Sequence, residues 1–201
     1  MYPLRRFCRA FAALIALATF APATTADRPL AGQRIALLLA DEFNAVEAFY
    51  PYLRLKEAGA EVILIGAERG RAYNGRGRYP LTCELAVADA RADDFSAVVI
   101  PGGDAPKRMR EIPAVIAFVR EMAARDRWIA AVCHGPQLLG AADLLRGRKI
   151  TSWPTLDTEL RSYGALWENA VVVVDGKLIT SQDPWTIDRF TAEIIARLGH
   201  P

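Results

Sequence analysis

Ile129-Ala130-Ala131-Val132-Cys133-His134-Gly135-Pro136-Gln137 decides the fold. An apolar run bounded by Ile129 and Val132 stops at a cysteine, and Gly135-Pro136 then opens a helical pattern over residues 137–145. Proline suits the first helical turn, where a backbone N–H would have no partner anyway. The stretch is therefore a strand, a sharp turn and a helix. Ala131 and Gly135 stand two positions to either side of Cys133, as small residues do in strand-to-helix bends too tight for larger side chains. Cys133 falls at the apex, facing the free amides and positive dipole end of the new helix. That placement favours thiolate over thiol and predicts an apparent thiol pKa below about 7. The competing reading is a small buried hydrophobe at a strand end.

Outward from this bend the pattern alternates between strand-length and helix-length segments. Residues 34–40 form an apolar run of the kind buried on both faces of a sheet, and residues 45–58 are helical up to Gly59. Strands follow at 61–66 and 97–100, with helices at 113–125 and 136–145 on either side of the strand at 128–132. The glycine- and arginine-rich stretch 70–79 is a solvated loop or hairpin, with a short strand at 82–85 that buries Cys83. Further on, 149–152 is a strand, 156–163 a helix, and 171–174 and 177–180 flank Asp175-Gly176 as a hairpin. A final helix spans 184–198. Such alternation predicts an α/β fold, a mostly parallel sheet with helices on both faces.

Residues 1–26 stand apart. Arg5, Arg6 and Arg9 precede an apolar stretch over 10–20 that is too short to span a bilayer, followed by small residues at Ala23 and Ala26. This is the pattern of a signal peptide cleaved after about Ala23 or Ala26, leaving a periplasmic or secreted protein with no stable membrane association. The leader carries three arginines and no acid, so the formal net charge falls from +2 to −1 without it. No basic stripe remains to suggest nucleic acid. Residues 33–199 suffice for one domain. Cys83 and Cys133 are the cysteines beyond the leader, too few for a disulfide framework, and both are expected to be free.

Ligands of open parallel sheets bind at the carboxyl ends of strands. Cys133, Pro101-Gly102-Gly103 and the segment from Asp41 to Glu47 all follow strands and converge there. A glycine turn frees a backbone amide, so the N–H groups of Gly103 and His134 are candidates for an oxyanion hole. The alternative for Gly102-Gly103 is an ordinary tight turn. Glu47 has the local spacing of the N3 half of a capping box with Asn44; a carboxyl held near a thiolate in a cleft would instead have a raised pKa and exchange protons near neutral pH. His134 and His200 are the only histidines, so an imidazole that assists Cys133 is His134. Its adjacency to the cysteine does not guarantee contact.

The chain resembles the ThiJ/PfpI superfamily, and in particular its PfpI branch. The likeness rests on residues 131–137, on Ala40-Asp41-Glu42-Phe43-Asn44-Ala45-Val46-Glu47 with Tyr50-Pro51, and on Pro101-Gly102-Gly103 with Ala105-Pro106. Leu145-Arg146-Gly147-Arg148-Lys149 and Val172-Val173-Val174-Asp175-Gly176 extend it. The resemblance implies a flavodoxin-like three-layer sandwich, with Cys133 as nucleophile, Glu47 as its acid, and Gly103 and His134 donating backbone N–H groups. It also implies a homo-oligomer acting on a small-molecule carbonyl or its adducts (a glyoxalase or deglycase type of enzyme), with no metal or organic cofactor.

Two alternatives stand beside this reading, the first from the same resemblance and the second from a different class of function. One is a cysteine peptidase, for which a glutamate is expected after the Gly-Gly turn; Lys107 stands at that position, with Asp104 nearby as a substitute. The other is a non-enzymatic redox sensor or holdase that works through oxidation of Cys133. Asn44 and Asp183-Pro184-Trp185-Thr186 also depart from the family pattern. Glutamine amidotransferases of related architecture need a downstream histidine, which no internal position supplies.

Overall fold

The computed structural model describes residues 28–199; the expected signal peptide at 1–26 lies outside the described residues, as does His200. In chain order the first elements are β1 (Arg34–Leu38), α1 (Ala45–Glu57), β2 (Glu61–Gly66), β3 (Ala72–Asn74), β4 (Pro80–Thr82), β5 (Leu85–Ala86) and β6 (Ala97–Ile100). Then come α2 (Ala105–Met109), α3 (Pro113–Ala124), β7 (Trp128–Val132), α4 (Pro136–Ala141), β8 (Lys149–Ile150) and α5 (Asp157–Ser162). The chain closes with β9 (Leu166–Trp167), β10 (Val172–Asp175), β11 (Leu178–Ser181) and α6 (Ile187–Gly199).

Seven strands form the main sheet in the order β10-β11-β7-β6-β1-β2-β5. Its pairs are parallel except for β10 against β11, the hairpin predicted at Asp175-Gly176. The continuous apolar strands occupy its centre: Ile35, Leu37, Val98, Val99, Ala131 and Val132 are fully buried. Burial on both faces follows from the layers, since α1 and α6 pack together on one side while α3 lies against β6 and β7 with α4 beside it. β1 and β6 are neighbours, yet their connections run to opposite edges of the sheet. This switch opens a crevice at their carboxyl ends.

Several sequence expectations are corrected locally. The helix expected over 137–145 ends at Ala141, because Asp143 turns left-handed (φ 58°) and the Leu144 N–H bonds back to Leu139 C=O at 3.0 Å. The strand expected over 149–152 stops at Ile150, where the Thr151 N–H turns to the Thr180 hydroxyl at 2.9 Å. Cys83 is buried but lies between β4 and β5, not in a strand; its sulfur accepts the Gly66 N–H and donates to Leu85 C=O, both at 3.1 Å. Short 3-10 turns at Pro154–Leu156 and Pro184–Thr186 replace the first residues of the last two expected helices. The stretch 70–79 contributes β3 to a two-stranded hairpin with β4. The short α2 and β9 had no sequence expectation.

Candidate active site

Cys133 has φ 59° and keeps only 4% of its exposure. A side chain in the left-handed region costs about 1–2 kcal/mol, and the surroundings hold it there. Its N–H donates to Ser181 C=O on β11 at 3.0 Å, and its C=O accepts the Trp153 N–H at 2.9 Å. The bend expected at this residue is thus present and pinned on both sides.

Glu47 is fully buried. Asn44 caps α1, its Oδ1 accepting the N–H groups of Val46 (3.1 Å) and Glu47 (3.4 Å), but the reciprocal half of a capping box is absent. Glu47 instead reaches across the crevice, and its Oε2 accepts the Gly102 N–H at 2.7 Å. Its Oε1 is buried without a hydrogen-bond partner among the described residues. Burial is the main reason that the carboxyl is pushed up to about 7; the Gly102 amide and the cysteine side chain oppose the shift, and Asp183 adds to it.

The thiol is also pushed up, first by burial and then by the charge and hydrogen bonding of Glu47, against the N–H groups of Gly103 and His134, which favour the thiolate. This reverses the low thiol pKa expected from the helix. Burial and the neighbouring Glu47 carboxylate both disfavour the thiolate and outweigh the two amides that favour it. The two groups titrate as a pair. Once one proton has left, the pair carries a single negative charge. The proton that remains is shared between the sulfur, whose anionic form has the amide donors of Gly103 and His134, and the Glu47 carboxylate, which accepts the Gly102 N–H.

The third expected residue also reaches the sulfur, since His134 Nδ1 lies 3.1 Å from Cys133 Sγ. The ring stacks on Trp153 (6.2 Å between centroids, 20° between planes). Burial, then Lys107 and Arg76, lower its pKa below the ordinary histidine range, so the imidazole is neutral at neutral pH.

Gly102 and Gly103 are where backbone has to come close. A Cβ on Gly102 would stand 2.6 Å from Glu47 Oε2 and 2.7 Å from the His134 nitrogen; Gly103 has φ +77°, and its Cβ would meet Glu42 C=O at 2.3 Å. Gly102→Ala is accordingly expected to push the carboxyl off the sulfur and to cost about 1–3 kcal/mol of stability. Urea melts beside an alkylation assay of Cys133 check this.

Sequence reasoning missed Arg76, which lies in the stretch assigned to a solvated turn. Phe43 bridges both Gly75 and Gly103, and the Arg76 N–H donates to Phe43 C=O at 2.9 Å, which folds the hairpin over the site. Arg76 then acts electrostatically on Cys133, Glu47 and His134. No local signal marks it, because its position depends on a pairing across 33 residues. Asp104 does not serve as the acid of a triad. Its carboxylate is bound to Arg76 at 2.7 Å and lies 3.9 Å from Lys107, and it makes no hydrogen bond to His134 among the described residues.

Residues 33–197 match the DJ-1/PfpI family. A deglycase of Pyrococcus abyssi is 38% identical over 165 residues, which cover 82% of this chain and 99% of the relative. The deglycase PfpI of Pyrococcus furiosus is 36% identical with the same coverage. Among solved structures, a two-domain protein of Anabaena variabilis with DJ-1/ThiJ/PfpI-like and ferritin-like domains superimposes with a TM-score of 0.82 at 39% identity. The match takes in 83% of this chain and 48% of that one. With its parallel sheet, its cysteine bend and relatives matched over nearly their whole length, this chain belongs to the DJ-1/PfpI family.

Proposed function

We propose that the protein is a cysteine-dependent enzyme acting on small reactive carbonyls or on their adducts with amines and thiols, a glyoxalase or deglycase type of activity. The observation that carries this reading is the buried Glu47 carboxyl, with a pKa near neutrality, coupled to the sulfur of Cys133; relatives named deglycases support it.

As Cys133 Sγ attacks the aldehyde carbon, its proton passes to Glu47 and the carbonyl oxygen becomes an oxyanion beside the N–H groups of Gly103 and His134. Protonation of that oxygen gives a hemithioacetal. With methylglyoxal, one proton leaves the carbon that bears sulfur and one returns to the neighbouring carbonyl carbon, while the hydroxyl proton of the hemithioacetal passes to the former ketone oxygen, giving a thioester. Water then releases lactate and restores the thiol. Glu47 and neutral His134 are the groups placed to carry these protons. No cofactor enters this sequence. A peptidase is disfavoured, since Lys107 occupies the triad position and Asp104 is taken by Arg76.

The test is an assay of the purified protein for methylglyoxal loss with lactate formation, beside casein cleavage and peroxide-induced mass gain. Carbonyl turnover supports the proposal; casein cleavage, or stoichiometric oxidation of Cys133 without turnover, overturns it. Because Glu47 is the base of the first step, kcat/KM is expected to rise with pH through an apparent pKa of about 7. A profile flat from pH 5.5 to 8.5 contradicts this assignment.

We also propose export through residues 1–26 and assembly as a homo-oligomer. The exposed Val46 and Leu53 on α1 suit a subunit contact. The mass of the mature chain and its native size check both.

A further inference from the structure

Cys133 follows the carboxyl end of β7. At the amino end of the same strand lies a cavity of about 260 Å³ whose rim carries Asp126, Arg127, Arg148, Asp175 and Lys177. A second hollow of the same volume shares Asp126, Arg127 and Lys177 and extends towards Gln33 and Ser96. Strand length separates this place from the sulfur: five residues at about 3.3 Å each give about 17 Å. A ligand here does not touch the active site.

The charges of the rim divide into those already satisfied and those not. The Asp175 carboxylate accepts from Arg148 Nε at 3.0 Å and from the Lys149 N–H at 2.9 Å, while another Arg148 nitrogen donates to Asp175 C=O. Arg197, beside the second hollow, is bound to Glu193 at 2.7 Å. Arg127 is different. Its Nε is buried with no hydrogen-bond partner among the described residues, an arrangement that leaves a guanidinium N–H desolvated and unpaired. Lys177 sits with Nζ 4.7 Å over the Trp128 ring, where the ammonium keeps its donors free for another group. Asp126 is the rim acid not bound to a cation among the described residues, so the unsatisfied set, Arg127, Lys177 and Asp126, has a net charge of +1.

We propose that Arg127 and Lys177 form a second, non-catalytic site that binds a small oxyanion, a carboxylate or a phosphate. A guanidinium offers such a ligand paired N–H donors, and the ammonium adds a point charge. Asp126 opposes an anion across the same cavity and limits its affinity. Arg127 immediately precedes β7 and Lys177 follows the hairpin turn at Gly176, and the Ile129 N–H bonds to Lys177 C=O at 2.9 Å, which brings both cations to the rim of one cavity.

The experiment uses the purified full protein, titrated with inorganic phosphate and separately with acetate, with ionic strength held constant by chloride. Tryptophan fluorescence reads the ligand through Trp128, and thermal shift gives a second readout. Saturable binding of at least one oxyanion is expected, and which of the two saturates identifies the source chemistry. Arg127→Met is expected to weaken binding at least tenfold and Lys177→Met three- to tenfold. Asp126→Asn should tighten it about threefold; asparagine suits the left-handed backbone at this position (φ 52°), so this variant tests the site without endangering the fold. Cys133→Ser should bind as the wild type does, which separates this site from the proposed chemistry. No saturable binding of either anion, or binding left intact by both Arg127→Met and Lys177→Met, overturns the proposal.

Discussion

Cys133→Ser is expected to lower methylglyoxal turnover by about 10³-fold or more while leaving the melting temperature near that of the wild type. The two halves of this expectation have separate causes. Serine keeps the backbone partners of the bend, the Ser181 C=O and the Trp153 N–H, and is close to cysteine in size, so the fold has little reason to change. Its hydroxyl, however, holds its proton far more tightly than a thiol, and a base with a pKa of about 7 does not remove it efficiently. Steady-state kinetics beside a thermal melt check both halves. Residual turnover within tenfold of the wild type would place the chemistry elsewhere.

Glu47→Gln is expected to lower kcat/KM by about 10²- to 10⁴-fold and, at the same time, to stabilise the protein at alkaline pH. Folding raises this carboxyl from 4.5 to about 7. The folded chain therefore keeps a proton that the unfolded chain releases between those values, and the wild type loses stability as pH rises through that window. A shift of this size corresponds to at most about 3 kcal/mol. Glutamine carries no such proton and escapes the loss, so the variant gains about 1–3 kcal/mol over the wild type at pH 8 and little at pH 4. Urea melts at the two pH values show the crossover. A variant less stable than the wild type at both would mean that the buried carboxyl is structural, held only for its bond to Gly102.

The layered parallel sheet was legible because its central strands are unbroken apolar runs, which only burial on both faces explains. The bend at Cys133 was legible because Ala131, Gly135 and Pro136 restrict it locally. The position of Glu47 came from resemblance, and its contact with Gly102 decided against the capping box that the local spacing equally allowed. Three features needed the third dimension. The acidity of the thiol depends on burial that no neighbouring residue encodes, so the helix-based expectation had the wrong sign. Arg76 reaches the site only because Phe43 pairs with both Gly75 and Gly103. Arg127 and Lys177 line one cavity because β7 and β11 are parallel neighbours, although 50 residues separate them in the chain.

The central claim is that Cys133 and Glu47 hold one proton between them at neutral pH and that the carboxyl, not a helix dipole, sets when the sulfur becomes reactive. The rate of Cys133 alkylation by iodoacetamide against pH, in the wild type and in Glu47→Gln, tests it most directly. The account predicts a rise centred at about pH 7 in the wild type that moves to about 8.5 or above in the variant, where a buried thiol titrates without its base. Superimposable profiles for the two proteins would contradict it.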